Sequence, residues 1–264
     1  MIILNETINV LNQRRSVRAY EDKPISTEVK DEIIKSAMRA PTAGNMMLYS
    51  IIDITDQTIK DRLAETCDNQ PFIAKAPLVL MFFADYQRWY DYFKVCGVTA
   101  SLGISEDEVR KPEEGDLMLA CSDALIAAQN AVVAAEALGI GSCYIGDVIE
   151  NYEIHKELLG LPDYVFPISM VVFGYPTEQQ KERQQPERFD RKFIVFENKY
   201  NQLNKADFDE MYAKTHEKMK SFTGGKLEKS AGEVMYTKKY TADFTKEMNR
   251  SARAALKNWQ QKTK

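Results

Sequence analysis

The sequence predicts an α+β fold, and three observations carry that prediction. Strand-sized and helix-sized patterns alternate along the 264 residues without the strict rhythm of a doubly wound sheet. The continuous apolar run Leu78 to Ala84 and the segment Ile168 to Phe173 have the length and character of buried strands. One long segment, Leu117 to Leu138, is apolar or small nearly all round, as in a helix enclosed by other elements, and Gly139 ends it.

The remaining elements follow in order. Asn5 to Gln13 has Leu4, Ile8 and Leu11 at helical spacing beside Val10, so these should point inward. After a turn at residues 19–24, Ser26 is placed to cap a second helix. Glu28 and Asp31 suit its positive end, and Val29, Ile33, Ile34, Ala37 and Met38 form its apolar face up to Pro41. Thr42 to Asn45 is a polar turn. Tyr49 to Thr55 alternates as a strand, and Thr58 to Thr66 is a helix. Beyond Gly139, Gly141 to Ile145 is a short strand, Tyr152 to Leu159 a helix, and Gly174-Tyr175-Pro176 closes the strand from Ile168. Residues 181–191 are polar and irregular, and Phe193 to Phe196 has the pattern of an edge strand.

Past Tyr200 the character changes. Ala206 to Lys220 is a charged helix broken at Thr223-Gly224-Gly225. Thr241 to Gln260 is a second one, with Phe244, Met248, Ala252, Ala255 and Trp259 in a stripe suited to docking. Two parts are therefore expected: a core at residues 1–200 and a helical extension at residues 201–264.

Bulk properties narrow the function. A hydrophobic content of 44% suits a soluble globular protein with a sizeable core. No apolar run nears the roughly 20 residues of a membrane span, and the amino terminus lacks a signal-peptide pattern, so a cytoplasmic protein is expected. Cys67, Cys96, Cys121 and Cys143 lie far apart and form no CxxC pair, and His155 and His216 are isolated. A structural zinc site is therefore not expected, and buried thiols are. The net charge of −4 conceals an asymmetry: residues 201–264 hold 14 basic against 8 acidic residues, a net +6, and the other 200 hold 21 against 31, a net −10. No nucleic-acid-binding motif accompanies the basic tail.

Arg14-Arg15-Ser16-Val17-Arg18 carries the clearest chemistry. Three guanidinium groups and a hydroxyl within five residues can converge on one small anion, and arginine's planar donor fork matches phosphate oxygens. Alone, such a cluster also fits a solvated basic turn. Four more motifs follow it: Ala40-Pro41-Thr42-Ala43-Gly44-Asn45, Gly139 through Gly146 (GIGSCYIG), Gly174-Tyr175-Pro176, and Lys181-Glu182-Arg183. In this order and at these separations they resemble the nitroreductase family of FMN-dependent enzymes, most clearly from about Val10 to Tyr200. The tail resembles the longer-chain, oxygen-insensitive branch.

The resemblance implies a mostly antiparallel sheet flanked by helices, an intertwined homodimer, FMN as cofactor and NAD(P)H as reductant. It implies that Arg14, Arg15, Ser16 and Arg18 face the phosphate and pyrimidine side of FMN, with Lys181 and Arg183 as a second basic pair on the phosphate. Which of Arg14 and Arg15 faces phosphate and which faces the ring stays open. Gln70 resembles a glutamine near the ribityl chain. Tyr144, Ile145 and Gly146 resemble the segment that offers backbone N–H groups along the ring, and Thr42 resembles a loop residue that covers the cofactor from a partner subunit. Hydride would pass from NAD(P)H to flavin N5 and then to a small aromatic or quinone-like acceptor in turn, so no catalytic side chain and no metal are expected. An enone or halogenated-phenol acceptor, or FMN binding without turnover, fits the same residues. Lys218, Lys220, Lys226 and Lys229 could grip a 2′-phosphate. No arginine lies between Arg191 and Arg250, where the family's longer branch uses one. The stretch Tyr86 to Phe93 suits either a substrate channel or a core or dimer contact.

Overall fold

The computed structural model describes residues 5–260. In chain order its elements begin with helices α1 (Glu6–Gln13) and α2 (Thr27–Met38), strand β1 (Tyr49–Asp53), and helices α3 (Gln57–Thr66) and α4 (Pro71–Ala74). Strand β2 (Leu78–Asp85), helices α5 (Gln87–Val95), α6 (Val98–Leu102) and α7 (Glu114–Ala137), and strand β3 (Gly141–Ile145) follow. Then come α8 (Tyr152–Leu159), β4 (Val165–Gly174) and α9 (Glu178–Glu182). The last helices are α10 (Lys205–Met211), α11 (Ala213–Phe222), α12 (Ala231–Met235) and α13 (Asp243–Leu256). The architecture is α+β. The four strands make one antiparallel sheet in the order β1-β2-β4-β3.

The sheet is buried on both faces, which is why β2 reads as a continuous apolar run from Leu78 to Ala84 and β4 as a largely apolar one. Side chains alternate across a strand. Leu78, Leu80 and Phe82 meet Ala124, Ala128, Ala131 and Ala135 of α7 together with Ile33 and Ala37 of α2. Val79, Met81 and Phe83 meet Leu63 and Ala64 of α3 on the opposite face. The row of alanines lets α7 lie close on the sheet. This helix is also long and apolar enough, by length and composition, to cross a membrane, which corrects the reading that no segment is. Its place in the core explains its composition.

Several boundaries differ from the sequence reading. Helix α7 starts at Glu114 because Asp116 accepts from the Glu113 N–H (2.9 Å) and pairs with Arg110 (2.7 Å), giving a polar first turn that hydrophobic periodicity misses. Strand β4 starts at Val165 because Pro167 lies where β4 pairs with β2 alone; β3 reaches only to Met170. Proline is tolerated at such a local edge, and the register shifts between Phe82 and Phe83 opposite it. The expected strand at Phe193–Phe196 is absent. Asp190 accepts from the Lys192 N–H (3.1 Å) and turns the chain into a 3-10 segment, Arg191–Phe193. The expected helix from Ala206 to Lys220 breaks at Tyr212, whose ring packs on Phe189 (5.3 Å) and stacks on His216 (6.2 Å).

Ile8 and Leu11, expected to point inward, are exposed in this chain, and Leu4 lies outside the described residues. Cys67 and Cys143 are buried as expected, Cys121 is partly so, and Cys96 is exposed. Among the described residues no group of three or more His, Cys, Asp or Glu side chains is arranged to hold a metal ion.

The chain divides into two compact units, residues 5–183 with 247–260 among those described, and Gln184–Lys246. A division after Tyr200 is not where they part. In the smaller unit, Lys218 pairs with Glu187 (2.9 Å), Lys192 pairs with Glu210, and the Ala231 N–H donates to His216 Nε2 (3.0 Å). In the larger unit, the end of α13 and the turn after it enter the core. Trp259 is 1% exposed and meets Tyr164 edge-on at 5.4 Å, beside Phe166, Leu48 and Ala255. Trp259→Ala should therefore lower the unfolding free energy by about 3–5 kcal/mol, the cost of emptying a buried aromatic site, as measured by urea denaturation. A loss below about 1 kcal/mol would show that this tail does not anchor the core.

Candidate functional site

The site is built from the chain between α1 and α2, which runs against one end of the sheet. Ser16 bridges in parallel to Ser142 of β3, where the Val17 N–H donates to the Ser142 carbonyl (2.9 Å). Tyr20 bridges antiparallel to Pro176, and the Glu21 N–H donates to the Tyr175 carbonyl (2.9 Å). Two glycines make this approach possible. A Cβ on Gly141 would stand 2.4 Å from Val17 Cγ2, and one on Gly174 would stand 2.4 Å from Tyr20 Cδ1. Each clash lies below any real Cβ contact, so the sequence holds the basic segment to the sheet by omitting two side chains.

The basic residues then fall into distinct positions. Arg14 closes α1, its N–H donating to the Val10 carbonyl (3.0 Å). Its charge, with that of Arg15, draws down the Glu136 carboxyl of α7, although burial pushes that group up more strongly. Arg15 Nη1 donates to the carbonyls of Lys181 and of Arg183 (2.7 Å), bracing the chain at α9 against the first cluster. The Arg18 N–H donates to Gln180 Oε1 (3.2 Å), and its guanidinium lies 5.9 Å over the Phe72 ring. The Lys181 ammonium is held by Glu178 (2.6 Å) and Glu21 (3.3 Å). Among the described residues no ion pair engages Arg18 or Arg183, so both can meet an anion.

Strand β3 supplies the floor. The Tyr144 hydroxyl donates to Gln129 Oε1 (3.3 Å), and burial pushes this phenol up to about 12. Ile145 is buried. A Cβ on Gly146 would meet nothing within 4 Å, so there is open room at this backbone. Burial holds the Cys143 thiol protonated, against the pull of Arg18, which makes it a packing group. Gln70 precedes α4, and its Nε2 donates to the Cys67 carbonyl (2.9 Å) and to Asp147 Oδ2 (2.8 Å), just past Gly146. Two hollows flank the cluster. One, of about 800 Å³, is lined by Arg18, Lys23, Phe72 and Lys75; the other, of about 260 Å³, by Arg15, Glu136, Gly141 and Lys181.

Thr42 stands apart. Its Oγ1 accepts from the Met47 N–H (3.2 Å) in a loop anchored by Asp123 of α7, which accepts from the Ala43 (3.0 Å) and Leu48 (3.1 Å) N–H groups. Asp123 lies 13 positions before Glu136, the α7 residue that senses Arg14. At 1.5 Å per residue that separation is about 20 Å along the helix. One chain therefore brings together every candidate except Thr42. The aromatic stretch serves the same loop. Trp89 Nε1 donates to the Met46 carbonyl (2.7 Å), and Arg88 Nη2 donates to the Met47 and Tyr49 (3.0 Å) carbonyls. Tyr90 is buried in the core, and Tyr92 is exposed beside a hollow of about 470 Å³ shared with Met46 and Met47.

Two residues escape the sequence reading. Asp123 leaves a signal, a lone carboxylate on an otherwise apolar helical face, and Glu150 leaves none beyond its place after the glycine-rich run. Asp147 ends the segment read from Tyr144 as lining the ring, but its side-chain bond to Gln70 is not legible there.

Residues 11–175 match the sequence profile of the Nitroreductase family. The chain belongs to the nitroreductase family. It is 31% identical over 205 residues to the FMN reductase (NADPH) of Bacillus subtilis, covering 78% of each chain. It is 31% identical over 213 residues to the oxygen-insensitive NADPH nitroreductase of Salmonella typhimurium, covering 80% of this chain and 82% of that one. NfrA2 of B. megaterium superposes with a TM-score of 0.78 at 30% identity, over 97% of this chain and 98% of that one. The nitroreductase fold thus extends over nearly the whole chain, tail included.

The basic segment depends on its two glycines. Gly141→Ala should cost about 1–3 kcal/mol of stability, as overpacking does, and should displace residues 16–18. Urea unfolding and the backbone amide spectrum of Val17 measure the two effects; an unchanged midpoint would show that the segment has slack.

Proposed function

We propose that the chain is an FMN-dependent reductase that draws on NAD(P)H and reduces nitroaromatics, quinones or free flavin in ping-pong fashion. The observation that supports this reading is the basic segment carrying Arg14, Arg15, Ser16 and Arg18 held on β3 by the Ser16 bridge, with Arg15 bound to the Arg183 carbonyl and the open backbone of Gly146 at the end of the same strand. The donor set fits FMN: cationic forks for a phosphate at one end, and a backbone wall with a fixed amide for a flat, neutral ring at the other. When bound, FMN accepts hydride from the reduced nicotinamide and delivers it to the second substrate.

The side chains bind and orient. Arg18 and Arg183 hold the phosphate. Arg15 spends Nη1 on the α9 carbonyls, so it fixes the distance between the two basic groups. Arg14 or Arg15 supplies the cation on the pyrimidine side, where it favours the negative charge of the reduced ring. Lys181 secures α9 through Glu21 and Glu178 and adds positive field to the phosphate end. Gln70, fixed by Asp147, faces the ribityl and pyrimidine edge, and the backbone from Tyr144 to Gly146 lines the ring.

A second copy completes the site. Thr42 is too far along α7 to reach the arginines of its own chain. Met118, 74% exposed, with Leu119, Leu125 and Ile126 on α7 and Ile8 and Leu11 on α1, presents apolar surface that a homodimer would cover. The lysines of the tail are the groups available to a nicotinamide 2′-phosphate, although Lys218 is already paired with Glu187.

Purified protein should be yellow, bleach on NAD(P)H under nitrogen and regain its colour on addition of a nitroarene. Failure of both nicotinamides to bleach it would overturn the reductase reading. Arg18→Ala should weaken FMN binding by about 1.5–3 kcal/mol, the worth of a hydrogen bond to a charged group, in a fluorescence titration; unchanged affinity would remove Arg18 from the phosphate.

A further inference from the structure

Behind Asp147 lies a second carboxyl that the reductase reading does not use. Glu150 is 5% exposed, and its Oε1 has no hydrogen-bond partner. It closes the single turn Asp147–Ile149, its N–H donating to the Asp147 carbonyl (3.0 Å), which sets its buried carboxyl beside that of Asp147. Two carboxylates cannot bond one another unless a proton sits between them. The charges that bear on Glu150 are acidic, and the cations of the neighbouring helices, Arg62 of α3 and Arg250 of α13, pair with other carboxylates. The turn after α3 contributes Asp68, in the left-handed region at φ 58°, and the Cys67 thiol. Helix α13 contributes Glu247, and α8 contributes His155, which burial keeps neutral, and Glu153. Arg250 is spent on Glu247 (2.8 Å) and Glu153 (2.8 Å).

We propose that protonated Glu150 is a positioning residue for the flavin: its acid hydrogen donates to Asp147, Asp147 fixes the Gln70 amide, and ionisation of Glu150 loosens that amide and weakens FMN binding. The inference rests on the assignment of Gln70 to the flavin site. Burial first, then the charges of Asp147, Asp68 and Glu247, push the Glu150 carboxyl up to about 7. The chain therefore holds this proton through mildly acidic pH and loses it near neutrality. The stability this group contributes is full below its unfolded value of 4.5 and is lost as pH rises through 7.

The test titrates FMN into apoprotein by fluorescence quenching from about pH 5.5 to 8.5, with wild type, Glu150→Gln and Asp147→Asn, and follows apoprotein melting over the same range. Wild-type affinity should fall roughly 3- to 10-fold across neutrality, the worth of one lost hydrogen bond. Glu150→Gln, whose amide can still donate to Asp147, should keep the low-pH affinity throughout, and Asp147→Asn should lose the pH step. Ionisation of the FMN phosphate near pH 6 affects all three proteins alike and cancels in the comparison. Melting of Glu150→Gln should exceed wild type increasingly above pH 7. Parallel binding profiles for wild type and Glu150→Gln would overturn the role of Glu150 and leave the flavin reading standing. Absence of FMN binding at every pH would overturn the flavin reading and this inference with it, even if melting still shows Glu150 titrating.

Discussion

The close approach of residues 16–20 to the sheet is the constraint on which the rest of the site depends. Backbone reaches backbone there only because Gly141 and Gly174 carry no Cβ, so Val17 and Tyr20 fill the two vacated spaces. Val17 is buried against the sheet, which turns its neighbours Ser16 and Arg18 the other way. A basic pentapeptide that could have been a solvated loop becomes a fixed platform, with Arg18 beside one hollow and Arg15 beside the other. The Arg15 brace then carries the register of that platform to α9, and through it to Arg183. Two hydrogen bonds from one guanidinium nitrogen to backbone carbonyls make a stiffer link than a surface ion pair, because neither acceptor can rotate away.

Helix α7 organises the molecule at a larger scale. Its alanines bring it close to the sheet, and Glu136 near its C-terminal end receives the field of Arg14 and Arg15. Near its middle, buried Asp123 gathers two N–H groups of the loop that carries Thr42. One rigid rod thus fixes two functional segments at a separation no side chain can bridge. An arrangement that needs both must take one from each of two chains, and the apolar residues α7 leaves exposed lie on the same rod.

Much of this was legible in the sequence, and the exceptions have physical reasons. Burial on both faces makes β2 and β4 largely apolar, so their existence is plain. Pro167 conceals the start of β4 because its tolerance depends on where β3 stops pairing, which is a tertiary fact. Ile8 and Leu11 have the spacing of a core-facing stripe, but spacing does not tell a buried stripe from an exposed one. Phe193 to Phe196 has strand composition, yet the Asp190 side chain competes locally for the backbone and turns it. In the site, the arginines and glycines announce themselves because few other residues do their work. Asp147 and Glu150 do not, since a carboxylate after a turn is ordinary until its surroundings are known.

Those surroundings give the candidate site a polarity. Arg14, Arg15, Arg18, Lys181 and Arg183 gather at one end, and Asp68, Asp147, Glu150 and Glu247 gather behind the other. A ligand with an anionic tail and a neutral ring is oriented by such a gradient before any specific hydrogen bond forms. Were a flavin bound as proposed, the same gradient would oppose negative charge on its reduced ring, and an arginine on the pyrimidine side would offset the carboxyl cluster. A proton retained on Glu150 reduces that opposition by one charge at the place where it is felt most. Orientation of the oxidised ligand and tolerance of the reduced one thus make opposite demands on the acidic end, and a carboxyl that ionises near neutrality lies between the two demands.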